Sequence, residues 1–502
     1  MVVFMSQDNK NKQNQNEKNL GITAKKEDDF SEWYTQLLKE CELADIRYNI
    51  KGLIIYMPWS TKTIKKMYHI LEQNLDKKNH EPLTMPTLIP ESNFTLESDH
   101  VEGFTPEVFW VTHGGVNKLE EKLALRPTSE TAFYQMFALW IRSHKDLPFK
   151  RYQSGQVFRY EGKATRPFFR GREFHWIETH CAHATHEDAV KQVKQDMEIT
   201  QEFLFDECCL PFIFFDRPEW DKFAGAVKTF AADVLMGSGK VLQLPSTHLL
   251  GTNFSKPFNV KYTDKHGEEK LVHLTCYGPA ISRIYGAMIS YHGDNKGLVL
   301  PFNLAPVQII IIPILFEKTK EIVLKEAEKL KEHLGKYYEV HLDADETLTP
   351  GFKYNFWEMK GVPIRIALGP KDLEKSQVEI FRRDTNKKEF VQLNKLDETL
   401  KEIKKTFTKN LRDQSSEKFD SEIINVKTKE ELYKAISDGK MVRAPFCSVT
   451  KEGKNCADEL AKDTAADVRG TKAFADEKPE PHTKCVMCKN LAHEIVYIAK
   501  SY

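Results

Sequence analysis

Residues 158–180 read FRYEGKATRPFFRGREFHWIETH. Arg159, Arg166, Arg170 and Arg172 share this stretch with Glu161, Glu173 and Glu178, and with the rings of Phe174, His175, Trp176 and His180. Side chains alternate between the two faces of a strand. Arg159 and Glu161 therefore fall on one face, and Phe174, Trp176, Glu178 and His180 together on another. The intervening GKATRPFFRG makes the whole a hairpin with a long cationic loop. Such a face suits an anionic, flat, polar ligand. A guanidinium grips phosphate oxygens in pairs, a ring stacks on a base, and a carboxylate accepts from an exocyclic amine. A surface hairpin laced with salt bridges would explain the charge, but not why three rings share a face with Glu178.

Two further stretches fit the same ligand. In LALRPTSETAF (123–133), Thr128 and Glu130 sit on a proline-fixed turn before a helix, a hydroxyl and a carboxylate placed for an amine. The same spacing also suits a helix capping box. In CYGPAISRIYGAMISYHGDNKGLVLP (276–301), a Gly-Pro turn leads to Arg283 at the start of an apolar helix. A helix N-terminus with an arginine beside it is an anion site.

Elements that must hold these residues can be read from periodicity. Ile64, Met67, Tyr68, Leu71 and Leu75 form one face of a helix over 61–78. Helices are also expected over 29–45, 130–144 and 186–208, followed by the strands LPFIFFDR, KVLQLPSTHLLGTNF and EKLVHLTCYG. Helices with an antiparallel sheet make residues 30–305 an α+β core. From VQIIIIPI onward strands alternate with helices, which indicates a small α/β domain over 306–405. A charged helix leads to a third region, 406–502, read as a small α/β domain.

A chain of 502 residues divides into several domains. Lys+Arg 73 balances Asp+Glu 73, which excludes a general polyanion binder. The longest apolar run, VQIIIIPILF, is too short for a membrane helix. Residues 1–29 are polar, with neither a signal core nor a transit composition, and are expected to be a disordered tail. The cytoplasm follows. Nine cysteines include five scattered ones, which suits a reducing compartment. Cys447, Cys456, Cys485 and Cys488 cluster near the end in a C-x8-C and C-x2-C arrangement. Zinc, a redox pair and free thiols are all compatible with it.

Together these residues resemble the class II aminoacyl-tRNA synthetases, and among them the prolyl-tRNA synthetases of the archaeal and eukaryotic cytosolic type. Motif 1 resembles the helix at 61–78 running to Pro86, motif 2 the hairpin, and motif 3 Gly278 to Arg283. Ala280 stands where the familiar motif 3 has a second turn glycine. The longer strings are VEGFTPEVFWVTHGG (101–115), LRPTSET (125–131), REFHWIETHCAHAT (172–185), HGDNKGLVLP (292–301) and GVPIRIALGPKD (361–372). The resemblance implies a class II catalytic core, an anticodon-binding domain and a zinc-binding-like C-terminal domain. It implies ATP with Mg²⁺, L-proline and tRNA(Pro) as substrates, and a homodimer with no membrane association.

Residue roles follow from the same resemblance. Arg159 and Arg283 resemble the two class II arginines on the α- and γ-phosphate sides of a bent ATP. Glu161 resembles the reader of the adenine amine, Arg170 a further phosphate contact, Phe174 the ring beneath adenine, and Gln243 a nucleotide-side contact. Thr128 and Glu130 resemble the pair holding the prolyl nitrogen. Phe104, Glu107, Trp176, Glu178, His180 and His248 resemble the prolyl pocket. Lys353, Phe356, Trp357, Glu358 and Lys360 are candidates for anticodon bases, although an amphipathic helix packed on its sheet would claim Phe356 and Met359. The four late cysteines resemble the zinc ligands of the family, and Tyr502 the terminal carboxylate that reaches the active site. The gap between motifs 2 and 3 is too short for an editing insertion. Small apolar differences give only ~10–200-fold discrimination, so misactivation of alanine without clearance in cis is expected.

Overall fold

The computed structural model describes residues 21–95, 108–162 and 164–502. By packing, the chain forms two compact units that cut across its linear order. Among the described residues, one contains 21–45, Ile55–Thr63 and Ile289–Leu411; the other contains Ile46–Ile54, those from Ile64 to Met288, and Arg412–Tyr502.

The second unit is built on an eleven-stranded sheet. Its strands in chain order are β1 (Glu81–Pro82), β2 (Phe149–Phe158), β3 (Glu173–His183), β4 (Ile213–Asp216), β5 (Lys228–Leu235), β6 (Lys240–Gly251), β7 (His273–Gly278), β8 (Ile423–Asn425), β9 (Met441–Phe446), β10 (Ala466–Lys472) and β11 (Glu494–Ser501). Across the sheet they run β8-β9-β11-β10-β4-β5-β6-β7-β3-β2-β1. The six central pairings from β10 to β2, and the two of β9–β11–β10, are antiparallel, as the α+β expectation requires. Residues 412–502 thus do not form a separate body, because β10 pairs with β4 and extends the catalytic sheet.

Helices cover the sheet with the faces their periodicity predicts. Phe133, Tyr134 and Phe137 of Glu130–Trp140 pack against Leu250 and Leu274. Ala189 and Val193 of His186–Thr200 pack against Phe230 and Leu249. Between β3 and the helix Ile281–His292 lie the helix His186–Thr200, a π-helical stretch Gln201–Glu207, strands β4 to β7 and the short hairpin Lys261–Thr263/Glu269–Leu271. No helix among the described residues is long and apolar enough to cross a membrane.

The first unit carries a five-stranded mixed sheet, ordered Val340–Leu342, Ile309–Pro313, Ile364–Leu368, Gln377–Arg382, Lys387–Gln392. The first two pairings are parallel and the last two antiparallel. The string HGDNKG acts here as a staple. Asp294 takes two guanidinium bonds from fully buried Arg383, at 2.8 and 2.6 Å, while its carbonyl accepts from the Trp33 indole at 3.0 Å. Residues 21–29, expected as tail, belong to this unit. Lys26 is buried and donates to the carbonyls of Tyr291 and Gly293 at 3.0 and 2.6 Å. A composition rich in lysine does not reveal that one ammonium closes a helix C-terminus.

Burial makes this protein acid-sensitive. His80 and His248 are pushed down to about 3, and His175 and His183 to about 4, first by loss of solvent and, for His80 and His183, also by Lys150. A group depressed in the folded state contributes stability above its unfolded pKa and loses it as pH falls. Asp196, pushed up to about 7 by burial, has the opposite sign over the same range, as do Glu173 and Asp221, which burial also raises, while His273 and His341, lowered by burial, add to the other histidines. The thermal midpoint should therefore fall as pH drops from 7 toward 5. A midpoint unchanged across that window would contradict the burial of these rings.

Candidate active site

The hairpin β2–β3 is in unbroken register from Phe149↔Ala182 to Phe158↔Glu173, so its alternation is preserved. Phe174, Trp176, Glu178 and His180 all face one cavity of ≈ 240 Å³. The strand ends at Phe158, so Arg159 and Glu161 lie in the connecting loop rather than alternating in a strand. Arg159 still lines the cavity: its Nε donates to the Pro127 carbonyl at 3.1 Å and its guanidinium lies over Phe174 and Trp176 at 5.5 and 5.4 Å. Glu161 and Arg170 lie beside it rather than lining it, 3.8 Å apart. Phe104 and Glu107 lie outside the described residues.

Thr128 and Glu130 line the same wall and hydrogen-bond to each other. The capping-box alternative is not formed. Ser129 is the N-cap residue, and its side chain is turned to Glu178 instead. The buried Glu178 carboxylate accepts from Ser129 N at 2.9 Å, Ser129 Oγ at 3.0 Å and Thr128 Oγ1 at 3.3 Å. Burial alone would push this carboxyl up, but His180 and Ser129 outweigh it and hold it below the ordinary range. The Tyr134 hydroxyl lies 3.2 Å from His180 Nδ1, and His180 Nε2 lies 3.4 Å from Glu178 Oε2.

Arg283, the third residue of the helix Ile281–His292, enters from the opposite side. Its Nε and Nη1 donate to the carbonyls of Phe169 and Gln243 at 3.1 and 3.2 Å. Burial, then Arg159 and Arg170, push its guanidinium down to about 10, with Glu161 opposing. It stays charged at neutral pH. Three arginines thus converge with one carboxylate among them, an arrangement suited to an anion.

The wall between them closes through Gly278. A Cβ there would stand 2.5 Å from Cζ2 of the Trp176 indole, so only glycine lets strand β7 pass beneath the ring. Gly278→Ala should displace the indole and raise the KM of the ligand that rests on it about tenfold or more, with the fold intact. An unchanged KM would remove Trp176 from the pocket.

Three comparisons bear on this geometry. Residues 109–292 match the family described as tRNA synthetase class II core domain (G, H, P, S and T). Residues 308–403 match an anticodon binding domain, and 429–502 the prolyl-tRNA synthetase C-terminal domain. The proline–tRNA ligase of Thermofilum pendens is 48% identical over 96% of this chain and 99% of its own. The chain belongs to the prolyl-tRNA synthetase family.

Other prolyl-tRNA synthetases agree in sequence and in fold. The Pyrococcus abyssi proline–tRNA ligase is 40% identical over 95% of this chain and 98% of its own. The Giardia lamblia prolyl-tRNA synthetase, solved with prolyl-adenylate, superposes with a TM-score of 0.92 at 35% identity, covering 96% of this chain and 100% of that one. The Cryptosporidium parvum enzyme, solved with L-proline and AMP, has a TM-score of 0.89 at 34% identity, covering 100% and 99%.

Among the described residues that line the cavity, none is an activated nucleophile. Cys276 lines it, but burial and then Glu130 push the thiol well up. His248 is held neutral, bonded to Thr229 Oγ1 and Ser246 Oγ at 3.0 Å each. What remains is positioning and charge stabilisation. Sequence reasoning missed Arg217, Asp221, Lys222 and Phe223, on the segment after β4, and Leu244 and Ser246 on β6. Alternation from His248 would have found Ser246 and Leu244. Nothing local would have found the β4 segment.

Outside the cavity, Tyr502 stacks on Phe169 with ring centroids 5.2 Å apart, and its carbonyl oxygen accepts from Arg170 at 3.3 Å. The sulfurs of Cys447, Cys456, Cys485 and Cys488 lie within 4.8 Å of one another, with Cys447 and Cys456 at 3.7 Å. A tetrahedral thiolate site with metal–sulfur bonds of about 2.3 Å has edges of about 3.8 Å, so the donor set fits such an ion despite the wide C-x8-C spacing. In the first unit, Lys353 and Lys360 are turned inward. Lys353 pairs with Asp343 at 3.2 Å and Lys360 with Glu42 at 2.6 Å. Trp357 donates to Asp343 at 2.8 Å, and Glu358 pairs with Arg365 at 3.0 Å. Phe356 and Glu358 border a groove of ≈ 300 Å³.

Proposed function

We propose that this protein is a proline–tRNA ligase: it activates L-proline with ATP, releasing pyrophosphate, and passes the prolyl group to the 3′ end of tRNA(Pro), releasing AMP. The observation that carries the reading is that Arg159 and Arg283 share one cavity with Thr128, Glu130, Trp176, Glu178, His180 and His248. The proline carboxylate attacks the α-phosphorus in line. It is already ionised, so no general base is needed, and fixed charges stabilise the transition state. Arg159 serves the α-phosphate side and Arg283 the γ-phosphate side. Phe174 supports the adenine and Gln243 the nucleotide, with Glu161 and Arg170 brought in from the motif 2 loop. Thr128 and Glu130 receive the imino nitrogen, and Trp176, Glu178, His180 and His248, with Phe104 and Glu107, shape the proline pocket. Mg²⁺ accompanies ATP. Phe356, Trp357 and Glu358 suit anticodon bases better than the inward-facing Lys353 and Lys360, because only a ring or charge that a base can reach stacks on it or reads it. A cytoplasmic homodimer without a cis editing domain completes this reading.

Amino-acid-dependent ATP–pyrophosphate exchange, run across the twenty amino acids, tests it. Exchange is expected with proline above all others. Exchange led by threonine or glycine, or none with proline, would overturn it.

The four cysteines would hold a structural zinc ion. Protein purified without chelator should carry about one zinc per chain, and its removal should lower the thermal midpoint. Metal-free protein with an unchanged midpoint would leave the thiols as a redox pair or as free groups.

A further inference from the structure

One wall of the cavity is held in place from outside the catalytic sequence. The segment after β4 supplies Arg217, Asp221, Lys222 and Phe223 to the lining. Residues of the C-terminal region hold it at three points. Glu219 N–H donates to the Val449 carbonyl at 3.0 Å. Trp220 packs against the cluster that contains Cys456 and Cys485. Arg217 is the third point, and it carries a relay.

Arg217 Nη1 donates to the Arg469 carbonyl at 2.9 Å, and Nη2 to Asp233 Oδ1 at 2.7 Å. Asp233 is fully buried, and its other oxygen accepts from Arg469 Nε at 2.7 Å. The same Arg217 Nη2 donates to Gln243 Oε1 at 3.0 Å. A guanidinium cannot accept a hydrogen bond. The Gln243 amide is therefore fixed with its oxygen toward Arg217, which leaves Nε2, a pure donor, for the cavity. The Gln243 carbonyl is held in turn by Arg283. We propose that Arg469 is a positioning residue for the nucleotide: through Asp233 and Arg217 it locks the Gln243 amide so that the cavity offers an NH₂ donor, selecting an acceptor atom on the ligand. The C-terminal region thereby sets nucleotide affinity without touching the nucleotide. This inference rests on reading the cavity as an ATP site.

The test is proline-dependent pyrophosphate exchange with Arg469→Ala, Arg469→Lys, Gln243→Ala and the double variant Arg469→Ala/Gln243→Ala. Displacement of a positioned group by about 1 Å costs on the order of 10² in rate or affinity. Arg469→Ala should raise the KM for ATP by up to about that factor, with a much smaller change in the KM for proline. Lysine keeps a cation beside Asp233 and should recover most of the loss. The double variant should be no worse than Gln243→Ala alone, because a relay is not additive. Additive losses, or a fall in kcat with both KM values unchanged, would make Arg469 merely structural and overturn the proposal. If Arg469→Ala does not accumulate as folded protein, Arg469→Gln, which removes the charge beside Asp233 but keeps much of the side-chain volume, combined with Gln243→Ala gives the same cycle. Absence of proline-dependent exchange in the unaltered protein would instead refute the reading of the cavity.

Discussion

Arg283→Ala should lower proline-dependent pyrophosphate exchange by roughly 10²–10³-fold, the usual cost of removing one preorganised charge donor. Arg283 is half-buried, aimed by two backbone carbonyls, and crowded by Arg159 and Arg170. That crowding is unfavourable until an anion arrives. The variant should accordingly unfold no earlier than the unaltered protein, because its removal relieves like-charge repulsion. Arg283→Lys should recover little, since an ammonium cannot reproduce two carbonyl contacts and a phosphate contact from one planar group. Near-normal exchange in the alanine variant would contradict the role, and a collapse in stability would make Arg283 a structural residue.

Asp233→Ala should have the opposite signature. Its carboxylate is fully buried and shared by Arg217 and Arg469. Burial alone would raise its pKa, but the two guanidiniums hold it below the ordinary carboxylate range. Removing it strands two buried cations, and breaking a buried ion pair in this way costs about 3–5 kcal/mol. The denaturant midpoint should fall accordingly. The contribution of this carboxylate is present at neutral pH and lost as pH falls below the ordinary carboxylate range. A midpoint within error of the unaltered protein would show that solvent or neighbouring groups replace the carboxylate.

The parts of the site legible in the sequence are those governed by local periodicity. The face shared by Phe174, Trp176, Glu178 and His180 needed only strand alternation, and β3 obeys it. Arg283 needed only a turn followed by an apolar helix. What the sequence concealed depends on partners far along the chain. Lys353 and Lys360 look like anticodon cations until Asp343 and Glu42 are seen to neutralise them. Arg217 looks like one more surface arginine until β10 brings Arg469 beside it. Leu244 continues the alternation of His248 and Ser246, but its neighbour Gln243 also reaches the cavity, where β5 and β6 shift register between Ala231 and Asp233, a local irregularity that alternation cannot anticipate.

The pairing of β10 with β4 limits how this protein can be taken apart. Deleting residues 429–502 would turn β4 into an open edge and uncover Phe215, which packs against Tyr497. An apolar, unpaired edge recruits other strands, so such a truncation should yield aggregates rather than a smaller working enzyme. The last segment of the chain is therefore not an interchangeable module, and swaps between relatives at this junction should succeed only when β4 and β10 are exchanged together.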